Sequence, residues 1–267
     1  MEDSELGRRR ALQALGALTL ASLIVGDAVT TPAVPPVAGH TLARKPAAKR
    51  PRPAKPPSEW TPSHLKARHQ PVHSLIDLTP AAPGNAIALT IDDGPHPEWT
   101  PKMLDLLDEH DVRATFSLIG IQVKRYPRLA ERIVQAGHQL CNHTMHHPIP
   151  FNRLPAKRIT SEIVEAQERI SDATGVAARF FRSPGGSWSR RVVHTADDHG
   201  MIPIDWNVDP RDWSRPGTRH ITKSMLACRP GAILLCHDGG GDRSETLKAL
   251  RTVIPRLKRR GLTFVAL

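Results

Sequence analysis

Short apolar runs alternate with longer amphipathic stretches from about residue 85 to the C-terminus. Seven runs, each four to six residues long, read as strands: 86–91, 114–119, 138–141, 178–181, 202–206, 232–236 and 263–267. Apolar positions at helical spacing predict helices over 100–110, 127–136, 157–174, 190–199, 220–227 and 244–260. Gly137, Gly175, Gly200 and Gly261 stand where four of these helices should stop. Strand–helix alternation implies parallel strands in an α/β domain. Seven strands with helices outside favour a distorted (β/α) barrel over an open sheet, although spacing alone fits both. In such barrels the chemistry gathers at the C-terminal ends of the strands.

Polar residues cluster at those ends. Thr90-Ile91-Asp92-Asp93-Gly94-Pro95 follows the first strand. Neighbouring side chains on a strand face opposite ways, so Asp92 and Asp93 share a site only if the strand ends there, as Gly94-Pro95 suggests. Alone, the pair fits an Asp-capped turn equally well. Asn142-His143-Thr144-Met145-His146-His147 follows the third strand. His143 and His147 are four apart and would share one face of a helix, a spacing at which two imidazoles reach one cation. His146 is a rival ligand. One carboxylate and two imidazoles with open positions suit a catalytic metal, either Zn²⁺ or non-haem Fe(II).

Three more loops carry candidates. Arg182-Ser183-Pro184-Gly185-Gly186 offers a fixed cation and glycines that admit a close ligand. Asp205 to Trp213 combines acids with two of the five Trp residues, a composition suited to sugar faces. Leu235-Cys236-His237-Asp238 places a candidate general acid, His237, at a strand end.

Composition changes the picture mainly at the N-terminus. The chain of 267 residues carries a formal charge of +11. Residues 1–30 contribute −1, residues 31–69 contribute +7, and the remainder contributes +5. Arg8, Arg9 and Arg10 precede a 16-residue apolar run from Ala11 to Gly26, short for a membrane span and suited to a signal peptide. An uncleaved signal anchor is the alternative, and both twin-arginine and general secretion are open. Residues 31–69 are rich in Pro, Ala, Lys and Arg and read as an extended spacer that leaves the catalytic domain at 70–267. Trp60 is the one aromatic ring of Phe, Trp or Tyr among the tail's charges, too few for the interleaving that a nucleic-acid partner would use. Cys141, Cys228 and Cys236 form no CxxC and read as buried small hydrophobes, with one bridge the alternative.

Together and in order, TIDDGP (90–95), HTMHH (143–147), RSPGG (182–186), DPRDW (209–213) and LCHD (235–238) resemble the motifs of the polysaccharide deacetylase family, the NodB-homology group of carbohydrate esterase family four. The resemblance runs from about residue 85 to 267 and implies a (β/α) barrel. It implies Asp92 as general base and Asp93, His143 and His147 as ligands of a divalent metal, usually Zn²⁺. Arg182 would hold Asp92, and Asp212 would orient and tune His237, the general acid. Trp213 and Leu235 would line the acetyl pocket, and the Gly185 backbone N–H would bind the oxyanion. The implied partner is an N-acetylated, cell-wall-type polysaccharide; the N-terminal signal implies action outside the cytoplasm, and the expected form is a monomer with no stable membrane insertion after signal cleavage.

Ile91, Ser117 and Gly185 depart from the family pattern, and the last loses a substrate-contacting ring. An O-acetyl xylan esterase would use the same site. A non-catalytic glycan-binding domain would not need the intact set, and an Fe(II) oxygenase would leave Arg182 and His237 without a task.

Overall fold

The computed structural model describes residues 70–78 and 82–267, so the expected signal segment and the expected spacer lie outside the described residues. Seven strands alternate with helices: α1 (Leu75–Leu78), β1 (Ala86–Gly94), α2 (Trp99–Glu109), β2 (Thr115–Leu118), α3 (Gly120–Arg125), α4 (Pro127–Gln135), β3 (Gln139–Asn142), α5 (Ala156–Thr174), β4 (Phe180–Phe181), α6 (Arg190–Asp198), β5 (Ile202–Pro203), α7 (Thr218–Leu226), β6 (Ile233–His237), α8 (Ser244–Arg259) and β7 (Thr263–Val265). All strand pairs are parallel, in the order β5-β4-β3-β2-β1-β6, with β7 also against β1.

The two edges are tied through isolated bridges. Val72 pairs with Ile204 just beyond β5, Ser74 pairs with Ala232 just before β6, and Val208 pairs with Leu234. The Val72 N–H donates to the Pro203 carbonyl at 2.9 Å, and the Leu75 N–H to that of Gly231 at 2.9 Å. The segment ahead of β1 thus seals the seam of a distorted barrel.

Strand periodicity sorts the residues. Ile87, Leu89 and Ile91 of β1 pack outward against the cluster formed with α2, α7 and α8, whereas Ala86 and Ala88 join the inner cluster with Cys141, Phe180, Ile202 and Ile233. Small residues inside and branched residues outside let the sheet curl around a narrow core. Each fully buried Leu or Ile stabilises the fold by roughly 1.5–3 kcal/mol. All three cysteines are free and buried, and burial pushes the Cys141 thiol up to about 12, so it is an inert packing group.

Differences from the sequence reading are local. The predicted glycine stops at 137, 175, 200 and 261 all take positive φ. Helices α1 and α3 have four and six residues, too short to show a period in sequence. The segment 143–147 is not helical, so His143 and His147 do not converge through helical spacing.

Candidate active site

The row of inward-facing positions on β1 runs from Ala88 through Thr90 to Asp92. Asp92 sits in register with Ser117 of β2 on one side and His237 of β6 on the other. Parallel pairing therefore sets Asp92 and His237 side by side at the mouth of the barrel, both buried. By the same alternation Asp93 should face outward. Instead β1 continues through it with a register shift between Asp92 and Gly94, and Asp93 takes φ of 75°. This bulge, not a strand end, re-aims the second carboxylate inward. A left-handed non-glycine residue is costly and held by its surroundings. Gly239 supplies part of that hold: a Cβ there would overlap the Asp93 carbonyl, so β6's following turn is pressed against the bulge.

The imidazoles arrive by an irregular loop in which Thr144 and His147 have φ of 67° and 56°. The His147 N–H donates to Thr144 Oγ1 at 3.0 Å, which closes the turn. His143 Nδ1 lies 2.8 Å from the Arg182 carbonyl, an acceptor only, so Nδ1 carries the proton and Nε2 presents its lone pair to the site. His143 Nε2 is 3.6 Å from Asp93 Oδ1, and His147 Nε2 is 3.4 Å from the same oxygen. Among the described residues, Asp93, His143 and His147 form a group whose ligand atoms all lie within 4.8 Å of one another. Asp93 Oδ1 is buried with no hydrogen-bond donor. An orphaned carboxylate oxygen facing two imidazole nitrogens is the donor set a divalent cation completes. Burial pushes His143 down to about 4, so its imidazole is neutral at ordinary pH. His146, the rival ligand, turns away: its Nδ1 meets Glu162 Oε1 at 3.0 Å.

Arg182 is fully buried. It donates to Asp92 Oδ1 at 2.8 Å, to Thr90 Oγ1 at 2.8 Å and to the Asp205 carbonyl at 3.0 Å. Burial pushes Asp92 up, but Arg182, with His143 and His237, more than offsets it and holds the carboxyl below its usual range. Asp92 Oδ2 is left facing His143 Nε2 at 3.7 Å.

His237 Nδ1 lies 2.7 Å from Asp212 Oδ1, and the His237 N–H donates to Asp212 Oδ2 at 2.9 Å. Burial lowers the imidazole's pKa, but the Asp212 hydrogen bond and charge prevail and push it up to about 9. Two partners of Asp212 carry no signal in the sequence. Thr246 Oγ1 donates to Asp212 Oδ2 at 2.8 Å, and Arg243 donates to the Asp212 carbonyl at 3.3 Å and to that of Gly239 at 2.6 Å. Both sit near the start of α8. Asp238 is a further buried acid: Thr100 Oγ1 donates to its Oδ2 at 2.5 Å, and burial pushes it up to about 7.

The remaining candidates are Gly185, Leu235 and Trp213. Gly185 and Gly186 have φ of 59° and 62°, a conformation that favours glycine and folds the loop back after Pro184. Leu235 is buried, whereas Trp213 is 49% exposed under Arg211, whose guanidinium lies 5.3 Å from the ring.

A family model for polysaccharide deacetylase matches residues 79–204. The chain is 43% identical over 189 residues to a chitooligosaccharide deacetylase of Bradyrhizobium sp. (strain ANU 289), covering 66% of this chain and 86% of that one. Its structure is similar to that of a peptidoglycan N-acetylglucosamine deacetylase, with TM-score 0.67 and 34% identity over 69% of this chain and 88% of the other. It is equally similar to a carbohydrate esterase family 4 pseudoenzyme from Bacillus anthracis, with TM-score 0.67 and 34% identity over 74% and 67% of the two chains.

Proposed function

We propose, from the premise that the chain belongs to the polysaccharide deacetylase family, that it removes N-acetyl groups from N-acetylglucosamine units of a cell-wall-type polysaccharide of the peptidoglycan or chitin kind, using a divalent metal held by Asp93, His143 and His147. The observation that carries this reading is the convergence of those three groups between an ionised carboxylate, Asp92, and a protonated imidazole, His237. Because likeness extends to a pseudoenzyme, the reading rests on that constellation and not on the fold.

A divalent ion in this donor set, with Zn²⁺ the best match for one carboxylate and two imidazoles, would polarise the amide carbonyl and make water acidic near neutral pH. Asp92 then accepts the proton of the attacking water at Oδ2, the oxygen that Arg182 does not engage. Arg182 fixes the carboxylate and keeps it charged. The Gly185 N–H lies in the loop where the oxyanion would form, a donor typically worth ~3 kcal/mol. An amine leaves only when protonated, and His237 supplies that proton from Nε2, since Nδ1 is committed to Asp212. Leu235 and Trp213 bound the acetyl methyl. The N-terminal Arg8–Arg10 and apolar run support action outside the cytoplasm.

Acetate release from N-acetylglucosamine oligomers, from peptidoglycan and from acetylated xylan, each with and without a chelator, tests this. Chelator-sensitive release from the N-acetylated substrates is expected. Release from xylan alone would assign an O-acetyl esterase, and no release from any of them would leave a glycan-binding domain.

The His237–Asp212 pair sets the alkaline limit. The required form of His237 is protonated, so turnover falls as pH rises through about 9. In Asp212→Asn the amide oxygen still accepts from Nδ1 but the stabilising charge is lost, and the limit moves down toward the usual histidine value of 6.5. Rate profiles of both proteins between pH 5 and 10 check the shift, and an unmoved alkaline limb would remove His237 as the acid.

A further inference from the structure

We infer that the outer groove between α7 and α8 is an anion site for a phosphate-bearing polymer, separate from the deacetylase centre. The groove is shallow and open to solvent, and is lined by Arg219, Thr222, Lys223, Leu226, Ala227, Thr252 and Arg256. None of its residues belongs to the candidate active site.

Charge is segregated onto this face. Residues 70–267 hold 26 basic and 21 acidic residues, and the stretches 218–226 and 244–260 alone hold eight of the basic ones and one acid, Glu245. The rest of the domain is therefore slightly acidic, and the whole positive excess sits on α7 and α8. Glu245 is committed to the Gly217 N–H at 3.1 Å. Some of the cations are also committed: Arg251 pairs with Glu109 at 3.1 Å, Lys258 donates to the His110 carbonyl, and Arg260 donates to the Cys228 carbonyl at 3.1 Å. Arg219, Lys223 and Arg256 are exposed, and among the described residues none of them has a salt-bridge partner.

Favourable interaction with the helix dipole accounts for cations in a last turn, such as Lys223 and Arg256. It does not account for Arg219, in the first turn of α7, where the dipole opposes a cation. Three uncompensated cations around a concavity, with the hydroxyls of Thr222 and Thr252 beside them, form a donor-rich surface that an oxyanion neutralises. The lining has no aromatic ring on which bases would stack. It also lacks the exposed large apolar groups an interfacial helix inserts into lipid: among the described residues those are Ile76, Ile149, Val176 and Trp213, none on α7 or α8. A flexible polyanion such as a phosphodiester-linked glycan or polyol fits best, and it would hold the enzyme on an anionic envelope while the active site works.

The test compares three full-length proteins: wild type, R219Q/K223Q/R256Q, and K124Q/R125Q/R128Q, which loses the same charge from the α3–α4 surface. Binding to immobilised poly(glycerol phosphate) is measured across a salt series. The groove variant should bind about tenfold or more weakly at low salt, with a slope of log affinity against log salt smaller by about 2. The double variant K223Q/R256Q should fall in between, and the α3–α4 variant should bind like wild type. Acetate release from a soluble oligomer should be equal in all, so failure here is separable from failure of the deacetylase reading. Unchanged binding by the groove variant, equal weakening by the α3–α4 variant, or tighter wild-type binding to duplex DNA or to phosphatidylglycerol vesicles would each overturn the inference.

Discussion

Asp92→Asn should lower turnover by ~10³-fold or more while the protein keeps its metal. Proton acceptance by a positioned carboxylate typically contributes 10²–10⁴-fold, and an amide has no basic oxygen to take that role. Asn preserves shape and an acceptor for the Arg182 N–H at the position now 2.8 Å away. It does remove the counter-charge of a guanidinium with no solvent exposure. Breaking a buried pair from one side commonly costs ~3–5 kcal/mol, so the variant should also melt earlier. Zinc content by atomic emission and rates measured well below the melting temperature separate the two effects. A folded, metal-loaded variant with near-normal turnover would remove Asp92 as the base.

His143→Ala should lose the metal, and activity with it. His143 is one of three ligand groups and the most buried imidazole of the pair, and no other described group stands ready to replace its Nε2. His146 is held by Glu162 at 3.0 Å, so it does not swing in. The expected result is metal stoichiometry near zero after dialysis, with a lower melting temperature as well, because the Arg182 carbonyl loses its buried partner at ~1–3 kcal/mol and the stabilisation from bound metal is gone. Metal content equal to wild type would take His143 out of the ligand set. In the unchanged protein, protons should compete for this ligand only as pH falls toward about 4, since burial keeps the imidazole neutral above that.

The two substitutions probe opposite sides of the same cluster. Asp92→Asn removes a proton acceptor and leaves the cation's donors in place, whereas His143→Ala does the reverse. Metal content therefore distinguishes them where turnover alone does not.

The chain's own pattern determined the strand and helix order, the parallel sheet and the loops that carry Asp92, His143, Arg182, Asp212 and His237. These follow from local rules: periods of two and 3.6, glycine stops, and polar residues gathered after apolar runs. Alternation along β1 even places Asp92 inside, in line with Ala88 and Thr90. Folding decided the rest. Asp93 faces inward because a left-handed residue sits in a bulge pressed by Gly239, 146 positions away in sequence. His147 reaches the site through a second left-handed turn, where sequence spacing alone suggested a helix. Thr246 and Arg243 fix Asp212 from α8, Val72 and Ser74 seal the barrel from ahead of β1, and the cations of α7 and α8 meet along one groove. Such features depend on which distant residues the fold brings into contact, and a strained dihedral is stable only where those contacts hold it.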